Sequence, residues 1–353
     1  MTAMLDHLQR RIALSGPMTL ADYMADCLLH PTLGYYTTRD PLGTQGDFTT
    51  APEISQMFGE LIGLSLAQCW LDQGAASAFV LAEAGPGRGT LMADILRATA
   101  AVPGFHAAIR LHLIEASPAL QEKQRAALSG FEVTWQSELS ALPELPLFFV
   151  ANEFFDALPI RQFVRDGQEW RERRVQMQED ALGFALGGAA PEQALAHRLD
   201  DTKDGDLVEI CPIGQTIAAE VGRRIETHGG AALIIDYGDW RSQGDTLQAL
   251  KAHSYIDPFD APGDSDLTAH VDFEALASAA PCAHSKLAGQ GVFLERLGIT
   301  QRAQALAARK SDQALQDVID AHRRLTHPTE MGTLFKVLGL FPSTQTPPPG
   351  LDT

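Results

Sequence analysis

The segment that predicts most about this 353-residue chain is Phe79-Val-Leu-Ala-Glu-Ala-Gly-Pro-Gly-Arg-Gly-Thr90. An apolar run ends in an acid, three glycines follow at alternate positions, and a helical pattern begins at Leu91. This order is typical of a strand, a tight glycine loop and a helix, which form the entrance to a nucleotide-like cofactor site in a doubly wound sheet. Alternating glycines let the backbone approach a ligand closely, because they carry no Cβ atom.

The glycine spacing separates cofactor classes. A dinucleotide fingerprint is G-x-G-x-x-G, whereas Gly85, Gly87 and Gly89 give G-x-G-x-G with Glu83 two residues ahead. A carboxylate at Glu83 would lie close to a pyrophosphate, and it suits a cationic ligand better. S-adenosylmethionine carries an ammonium and a sulfonium and has no phosphate, so we predict that Glu83 and the three glycines bind it. The alternative is an ordinary turn between a strand and a helix.

A second apolar strand, within Ile109–Ser117, ends in Glu115. The distance from the glycine loop is roughly that of a βαβ unit, at which an acid binds the hydroxyl pair of a ribose. Alternatively, Glu115 and Ser117 cap the helix that starts at Pro118. We favour the cofactor interpretation, because two strands that end in acids flank one glycine loop.

Composition and net charge argue against some classes of protein and of binding partner. The chain is 45% hydrophobic and 20% charged, as in globular proteins, and no apolar run reaches the length of a membrane span. Its net charge of −18 argues against nucleic acid and is compatible with a basic polypeptide partner. Cys27, Cys69, Cys211 and Cys282 are far apart, which indicates reduced thiols and no metal site. With no obvious signal or transit peptide, we expect a cytoplasmic protein.

Strand and helix patterns alternate along the chain and predict a doubly wound, Rossmann-like α/β sheet. The antiparallel patterns at 161–165, 169–177 and 182–186 predict an inserted β segment, followed by a loop at 187–193. A further loop is predicted at 241–268, and the segment after Phe341 is expected to be frayed. The predicted regions are 1–75 (N-terminal helical cap and lid loop), 76–160 (first half of the core), 161–230 (inserted β segment and helix) and 231–353 (second half of the core with helical insertions).

The motifs resemble a known family. The pattern E-x-G-x-G-x-G at Glu83–Gly89, with an acid closing the next strand, resembles class I S-adenosylmethionine-dependent methyltransferases. Further segments are similar to the MidA-like family, whose mitochondrial members are complex I assembly factors; they are 46–53, 58–60, 151–159, 235–238, 266–273 and 331–338. The resemblance covers most of the chain. It implies the methyltransferase fold and the methylation of an arginine in a partner protein, a complex I-type subunit.

Two other functions stay open at this point. The protein could be an assembly or chaperone-like binding protein with a structural cofactor pocket, or a methyltransferase for a small molecule. An NAD-dependent dehydrogenase is disfavoured by the glycine spacing. The oligomeric state is open as well, with a homodimer as one option.

Asn152, Glu153 and Asp156 follow the fourth strand, at the edge where open parallel sheets bind ligands. We predict that these residues are catalytic and that Asn152 also contacts the cofactor. A guanidinium acceptor stays protonated in water, so a carboxylate fork formed by Glu153 and Asp156 could hold it. The alternative is that Asn152 caps a following helix and the two acids occupy its first turn.

Two further pairs complete the predicted site. Asp47 and Thr49 lie in a long N-terminal loop, which we interpret as a lid over the cofactor. A turn that only shapes the chain is the alternative. Asp236 and Tyr237, at the end of the fifth strand, are predicted to face the substrate. Alternatively, Asp236 is a buried strand-end acid that is satisfied by backbone amides.

Overall fold

A computed structural model describes residues 2–38 and 50–353. The helices are α1 (Ala3–Ser15), α2 (Leu20–Leu29), α3 (Tyr35–Thr38), α4 (Ala51–Ile54), α5 (Gln56–Asp72), α6 (Thr90–Thr99), α7 (Phe105–Ala108), α8 (Pro118–Ala127), α9 (Pro212–His228), α10 (Phe273–Ala279), α11 (Gln290–Arg296), α12 (Ile299–Ala307), α13 (Asp312–Thr326) and α14 (Met331–Leu334). Single 3-10 helices occur at Leu139–Ala141 and at Gln193–Leu199.

The strands are β1 (Met18–Thr19), β2 (Phe79–Ala84), β3 (Ile109–Ile114), β4 (Val133–Gln136), β5 (Leu147–Asn152), β6 (Arg161–Asp166), β7 (Glu169–Gln178), β8 (Ala181–Ala190), β9 (Leu207–Ile210), β10 (Gly230–Asp239), β11 (Gln248–Lys251), β12 (Ser254–Ile256), β13 (Asp266–Thr268), β14 (Val271–Asp272), β15 (Ala283–His284), β16 (Ala288–Gly289) and β17 (Phe335–Phe341). The chain divides into two compact units. The described residues of the first unit are 2–38, 156–214 and 241–272, and those of the second are 50–155, 215–240 and 273–353.

The second unit contains the main sheet, in the order β4-β3-β2-β5-β10-β17-β15. The neighbours from β4 to β10 pair in parallel, and β17 runs antiparallel to β10. Because β3 and β5 follow β2 in the chain but lie on opposite sides of it, the strand order reverses between β2 and β5. Ligands of doubly wound sheets bind outside the carboxyl ends of the strands at such a switch point. The predicted Rossmann-like fold is therefore confirmed.

Burial explains why β2 and β5 are central strands. Every residue of Phe79–Ala84 and of Leu147–Asn152 is buried, as expected for parallel strands that are covered on both faces. The rings of Trp70, Phe105 and Phe148 pack around Phe79 at the start of β2, with centroids 4.9 to 5.8 Å from its own. This apolar cluster anchors the amino end of β2, and the one polar residue of the strand, Glu83, lies near its carboxyl end.

The first unit contains the antiparallel segment. Its larger sheet has the order β1-β7-β6-β9, with β8 beside β7, and a smaller sheet has the order β12-β11-β13. Helices α1 and α2 belong to the same unit, and α2 begins at an N-cap in which Thr19 Oγ1 accepts the Asp22 N–H at 3.0 Å. The predicted helical segment at the N-terminus and the inserted β segment are both confirmed.

Three local predictions are wrong. Strand β8 continues through most of the predicted 187–193 loop, because Ala189 and Ala190 still pair with β7. The predicted 241–268 loop contains β11, β12 and β13, which are too short for their periodicity to be recognised. The segment after Phe341 is not frayed, since Leu351 is buried in the core and Pro349 O accepts the Ser65 hydroxyl at 3.0 Å. The division into four regions stays a prediction.

Candidate active site

The glycine loop has the backbone that the sequence predicts. Gly85, Gly87 and Gly89 have φ angles of +63°, +52° and +83°, a region that other residues rarely adopt, and Gly89 is the N-cap of α6. A Cβ atom on Gly85 would lie 2.9 Å from Cδ2 of Phe154. The loop therefore requires glycine at this position for both its conformation and its packing.

Glu83 lies at the carboxyl end of β2 and is only 3% exposed. Its Oε2 is buried and has no hydrogen-bond partner among the residues that the structure describes. Burial raises the pKa of Glu83 to about 8, the Met92 N–H opposes this rise, and the charge of Glu115 adds to it. Without a cation beside it, the Glu83 carboxyl group is therefore mostly protonated at neutral pH.

Glu115 follows β3 directly. Its carboxylate accepts the Ser117 N–H at 2.7 Å and Nε2 of Gln124 at 3.0 Å. Burial raises the pKa of Glu115, although both hydrogen bonds lower it. Glu115 thus closes the turn into α8, as the capping alternative requires, whereas the Ser117 hydroxyl makes no cap. The Ala116 N–H also donates to this carboxylate. Because a carboxylate has about four acceptor sites, Glu115 still has capacity for a hydroxyl donor.

Asn152 and Glu153 lie at the carboxyl end of β5. Asn152 Nδ2 donates to Glu153 Oε1 at 3.0 Å, and the same oxygen accepts the Ala51 N–H at 3.0 Å. Glu153 has a φ of +52° and donates its N–H to Ile235 O at 2.9 Å. No helix forms in the described segment 153–160, so the alternative in which Asn152 caps a helix is wrong. The left-handed conformation of Glu153 turns the chain sharply away from the strand instead.

Asp156 belongs to the first unit, whereas Glu153 belongs to the second. Asp156 is buried, and its carbonyl accepts the Ala269 N–H at 2.9 Å. The carboxylate fork that combines Asp156 with Glu153 stays a prediction.

Asp236 is fully buried at the end of β10. Its carboxylate accepts the N–H groups of Phe154 (3.2 Å), Phe155 (2.9 Å) and Tyr237 (3.0 Å). This is the arrangement that the alternative for Asp236 describes. The Tyr237 ring packs edge-on against Phe335, with the centroids 5.7 Å apart. Asp236 therefore holds the turn that carries Glu153, and a substrate contact of Asp236 or Tyr237 stays a prediction.

Glu83 Oε2, Asn152 Oδ1 and Ser117 Oγ are among the buried polar atoms that have no hydrogen-bond partner within residues 2–38 and 50–353. They belong to β2, to β5 and to the turn after β3, at the carboxyl edge of neighbouring strands. Buried polar atoms are nearly always hydrogen-bonded in folded proteins. This set of two acceptors and one hydroxyl beside a glycine loop therefore fits a polar ligand with an ammonium group.

The comparison with protein families shows the family to which the chain belongs. Residues 61–291 match the family described as "Putative S-adenosyl-L-methionine-dependent methyltransferase". The chain belongs to this family. The methyltransferase therefore uses S-adenosylmethionine, as the glycine spacing and the family resemblance predict, and the enzyme class is confirmed.

Named relatives are similar to this sequence along nearly the whole chain. The methyltransferase is 37% identical to protein arginine methyltransferase NDUFAF7, mitochondrial, of Bos taurus, over 97% of its own length and 84% of the relative's. The Homo sapiens protein of the same name gives the same three values. These relatives are named as mitochondrial proteins, so the expectation of a cytoplasmic protein is contradicted. Composition and motifs can be read from the sequence alone, whereas the compartment of the relatives becomes known only by comparison.

Two solved structures have the same fold. A Burkholderia thailandensis protein bound to S-adenosylhomocysteine is 29% identical and superposes with a TM-score of 0.82, covering 97% of the methyltransferase and 92% of that chain. A native structure from the same organism is 30% identical, with a TM-score of 0.80 over 99% and 94% of the two chains. The predicted class I methyltransferase fold is thus confirmed by experimental structures.

Asp47 and Thr49 lie outside the described residues. Within residues 2–38 and 50–353, no group of three or more His, Cys, Asp or Glu side chains could hold a metal ion. Every helix in those ranges is too short or too polar to cross a bilayer.

Sequence reasoning missed Gln124. This side chain on α8 is fully buried and makes hydrogen bonds to three different segments. The available signal was its position, because Leu120 and Leu128, one turn before and one turn after it, are buried apolar residues. A polar residue in a buried stripe of this kind needs hydrogen-bond partners.

Proposed function

We propose that this methyltransferase transfers the methyl group of S-adenosylmethionine to an arginine side chain of a partner protein. The names of its relatives support a protein arginine as the acceptor. The observation that carries the proposal is the position of the Glu153 carboxylate. It lies directly after β5, one strand from the glycine loop, and the Ala51 N–H and Asn152 Nδ2 hold it in place.

We infer that the carboxyl edge of the main sheet holds the cofactor. Glu83 and the backbone of Gly85, Gly87 and Gly89 would bind the methionine part, with Glu83 Oε2 as the acceptor for its ammonium. Glu115 would bind the ribose hydroxyls. Asn152 Oδ1 is a second buried acceptor on the neighbouring strand, where it can receive a hydrogen bond from the cofactor. When bound, S-adenosylmethionine supplies an electrophilic methyl group on its sulfonium.

Glu153 would hold the acceptor. A guanidinium stays protonated in water, so a carboxylate that accepts its N–H groups both binds it and fixes the direction of the attacking nitrogen. The arginine nitrogen would form the new N–CH₃ bond as the sulfonium S–CH₃ bond breaks and S-adenosylhomocysteine leaves. The methylated group would then lose one proton to water, and the Glu153 carboxylate would stabilise its positive charge until that proton leaves. The left-handed backbone of Glu153 supports this role, because conformations of this kind cluster at functional sites.

Label transfer in a lysate from cells that lack this protein tests the proposal. Purified protein and S-adenosylmethionine with a labelled methyl group are added, and labelled proteins are counted after electrophoresis. We expect a discrete labelled band that weakens by about 100-fold with Glu153→Gln. Because the glutamine keeps an acceptor for the Ala51 N–H, cofactor affinity should stay within about twofold of the wild type. The exposed Glu144→Gln is the matched control. No labelled band from a protein that binds the cofactor would contradict a protein acceptor.

A further inference from the structure

We propose that Gln124 is a positioning residue, which holds the glycine loop and the Glu115 carboxylate in the arrangement that binds the cofactor. The inference rests on the proposed role of Glu115 in binding the ribose. Gln124 itself need not touch the cofactor. It acts through Gly87 and Glu115, and it joins the loop after β2 to the turn after β3.

The contacts of Gln124 are short and reach three segments of the same unit. Its Nε2 lies 2.8 Å from Gly87 O and 3.0 Å from Glu115 Oε2. Its Oε1 lies 2.8 Å from Nε1 of Trp135, in β4. One buried amide therefore connects the glycine loop, the candidate ribose ligand and the neighbouring strand.

The chemistry of the partners allows a single orientation of this amide. The indole N–H of Trp135 is a donor only, so it requires the oxygen of Gln124. Gly87 O and the Glu115 carboxylate are acceptors only, so they require the two protons on Nε2. Trp135 thus fixes the direction from which Gln124 donates to the other two groups.

The same helix restrains the site at two further points. Gln121, nearly one turn earlier on α8, donates from Nε2 to the backbone oxygen of Glu115 at 3.0 Å. A Cβ atom on Gly89 would lie 3.3 Å from Cα of Gln124, so the loop packs directly on this helix. Helix α8 therefore holds Glu115 by both its backbone and its side chain, and it limits the movement of the glycine loop.

Packing alone does not account for a glutamine here. The neighbouring buried positions, Leu120 in the helix and Leu128 at its C-cap, are apolar. Without Gln124, the Glu115 carboxylate would lose a donor and Gly87 O would lose its restraint. The cofactor would then have to order both groups on binding, which lowers its affinity.

The test compares two ligands, S-adenosylhomocysteine and its 2′-deoxy analogue. The wild type should prefer S-adenosylhomocysteine by at least about tenfold, because Glu115 binds the ribose hydroxyls. Gln124→Leu should weaken the binding of S-adenosylhomocysteine by about tenfold and reduce the preference for it over the 2′-deoxy analogue to less than about threefold. Gln124→Glu keeps the acceptor for Trp135 but places a second carboxyl group beside Glu115, so its affinity relative to the wild type should fall further as the pH rises. A loss of packing alone would not change the preference between the ligands.

Controls separate the inference from the proposed function. The exposed Glu122→Gln on the same helix should leave both affinities unchanged, and kcat at saturating cofactor should change by less than about twofold in every variant. Should Gln124→Leu fail to fold, Trp135→Phe decides, because it removes the donor that orients the amide and keeps an aromatic ring beside Arg125. We expect Trp135→Phe to bind S-adenosylhomocysteine about threefold more weakly and to show a reduced preference for it over the 2′-deoxy analogue.

Folded Gln124 variants with wild-type affinity and wild-type preference would overturn the inference. If Glu115→Ala weakens binding and abolishes the preference while the Gln124 variants do not, only the positioning role falls. If Glu115→Ala also binds both ligands as the wild type does, the proposed ribose contact falls together with the positioning role.

Discussion

Replacing Glu83 by glutamine should remove the pH dependence of cofactor binding. The Glu83 carboxyl group is buried beside the glycine loop, and burial raises its pKa to about 8. It is therefore about 90% protonated at pH 7 in the free protein. The ammonium of S-adenosylmethionine needs an ionised carboxylate as its partner, so binding should release a proton from Glu83.

The magnitude follows from the ionised fraction. For a pKa of about 8, this fraction rises from about 1% at pH 6 to about 9% at pH 7, so the affinity should increase by about ninefold over this interval. About 0.9 proton should leave per cofactor bound at pH 7. Above about pH 8 the increase should level off, because the amino group of the cofactor, like other α-amino groups, then loses its own proton.

Titration calorimetry at pH 6, 7 and 8, in two buffers of different ionisation enthalpy, measures both the affinity and the proton release. Glu83→Gln should bind with an affinity that varies by less than about twofold from pH 6 to pH 7, and it should release no proton. The exposed Glu132→Gln is the control and should behave as the wild type does. A wild-type affinity that is flat in pH, or a Glu83→Gln variant that keeps the wild-type slope, would refute the reasoning.

The same carboxyl group affects the stability of the free protein. The folded pKa of Glu83, about 8, lies above the unfolded value of 4.5. Between these values the native state binds more protons than the unfolded state, so its contribution to stability falls as the pH rises. Relative to the wild type, Glu83→Gln should gain up to roughly 3 kcal/mol in the free energy of unfolding between pH 5 and pH 8. Urea denaturation at the two pH values measures this gain, and a constant difference would contradict the raised pKa.

Two further tests concern the elements that support the site. Burial would raise the pKa of Glu60, but hydrogen bonds from Arg302 (2.7 and 2.9 Å) and Arg97 lower it. The contribution of Glu60 to stability is therefore present above pH 4.5 and is lost in acid. In urea denaturation, Glu60→Gln should destabilise the protein by about 1–2 kcal/mol at pH 7 and by less at pH 3. Gly85 and Gly167 have nearly the same φ, +63° and +62°, but only a Cβ atom at Gly85 would have neighbours within 4 Å. Gly167→Ala should lose about 1 kcal/mol in thermal unfolding because of its left-handed backbone, and Gly85→Ala should lose more because of the added contact with Phe154. Only Gly85→Ala should weaken cofactor binding, by about tenfold. Equal cofactor affinity in both alanine variants would show that the contact at Gly85 does not shape the loop.

The sequence predicts the main sheet well because its central strands are fully buried and therefore read as continuous apolar runs. Glu83 and Glu115 could be located for the same reason, since an acid that ends such a run must lie at the carboxyl edge of the sheet. The Gly/Ala-rich end of β8 and the packed tail around Leu351 could not be predicted. Small residues and prolines indicate a loop locally, and in these segments tertiary pairing and packing override that local tendency.

Other parts of the site depend on contacts that a linear sequence hides. The turn after Asn152 looks like a helix start, because asparagine followed by two acids matches the pattern of a cap. Asp236, more than 80 residues later, binds the N–H groups of Phe154 and Phe155 and favours the tight turn instead. Gln124 is hidden for the same reason. Its three partners come from three separate segments, and a glutamine on a helix carries no recognisable motif.

The most direct measurement of the central claim identifies the residue that receives the methyl group. The labelled band from the lysate is digested after reaction with S-adenosylmethionine that carries a ¹³C,²H-methyl group, and tandem mass spectrometry locates the heavy methyl. We expect the heavy methyl on a guanidino nitrogen of arginine, and we expect the modified peptide to be absent when Glu115→Ala or Glu153→Gln replaces the wild-type protein. A heavy methyl on any other residue type, or equal modification by the wild type and by both variants, would contradict arginine methylation at this site.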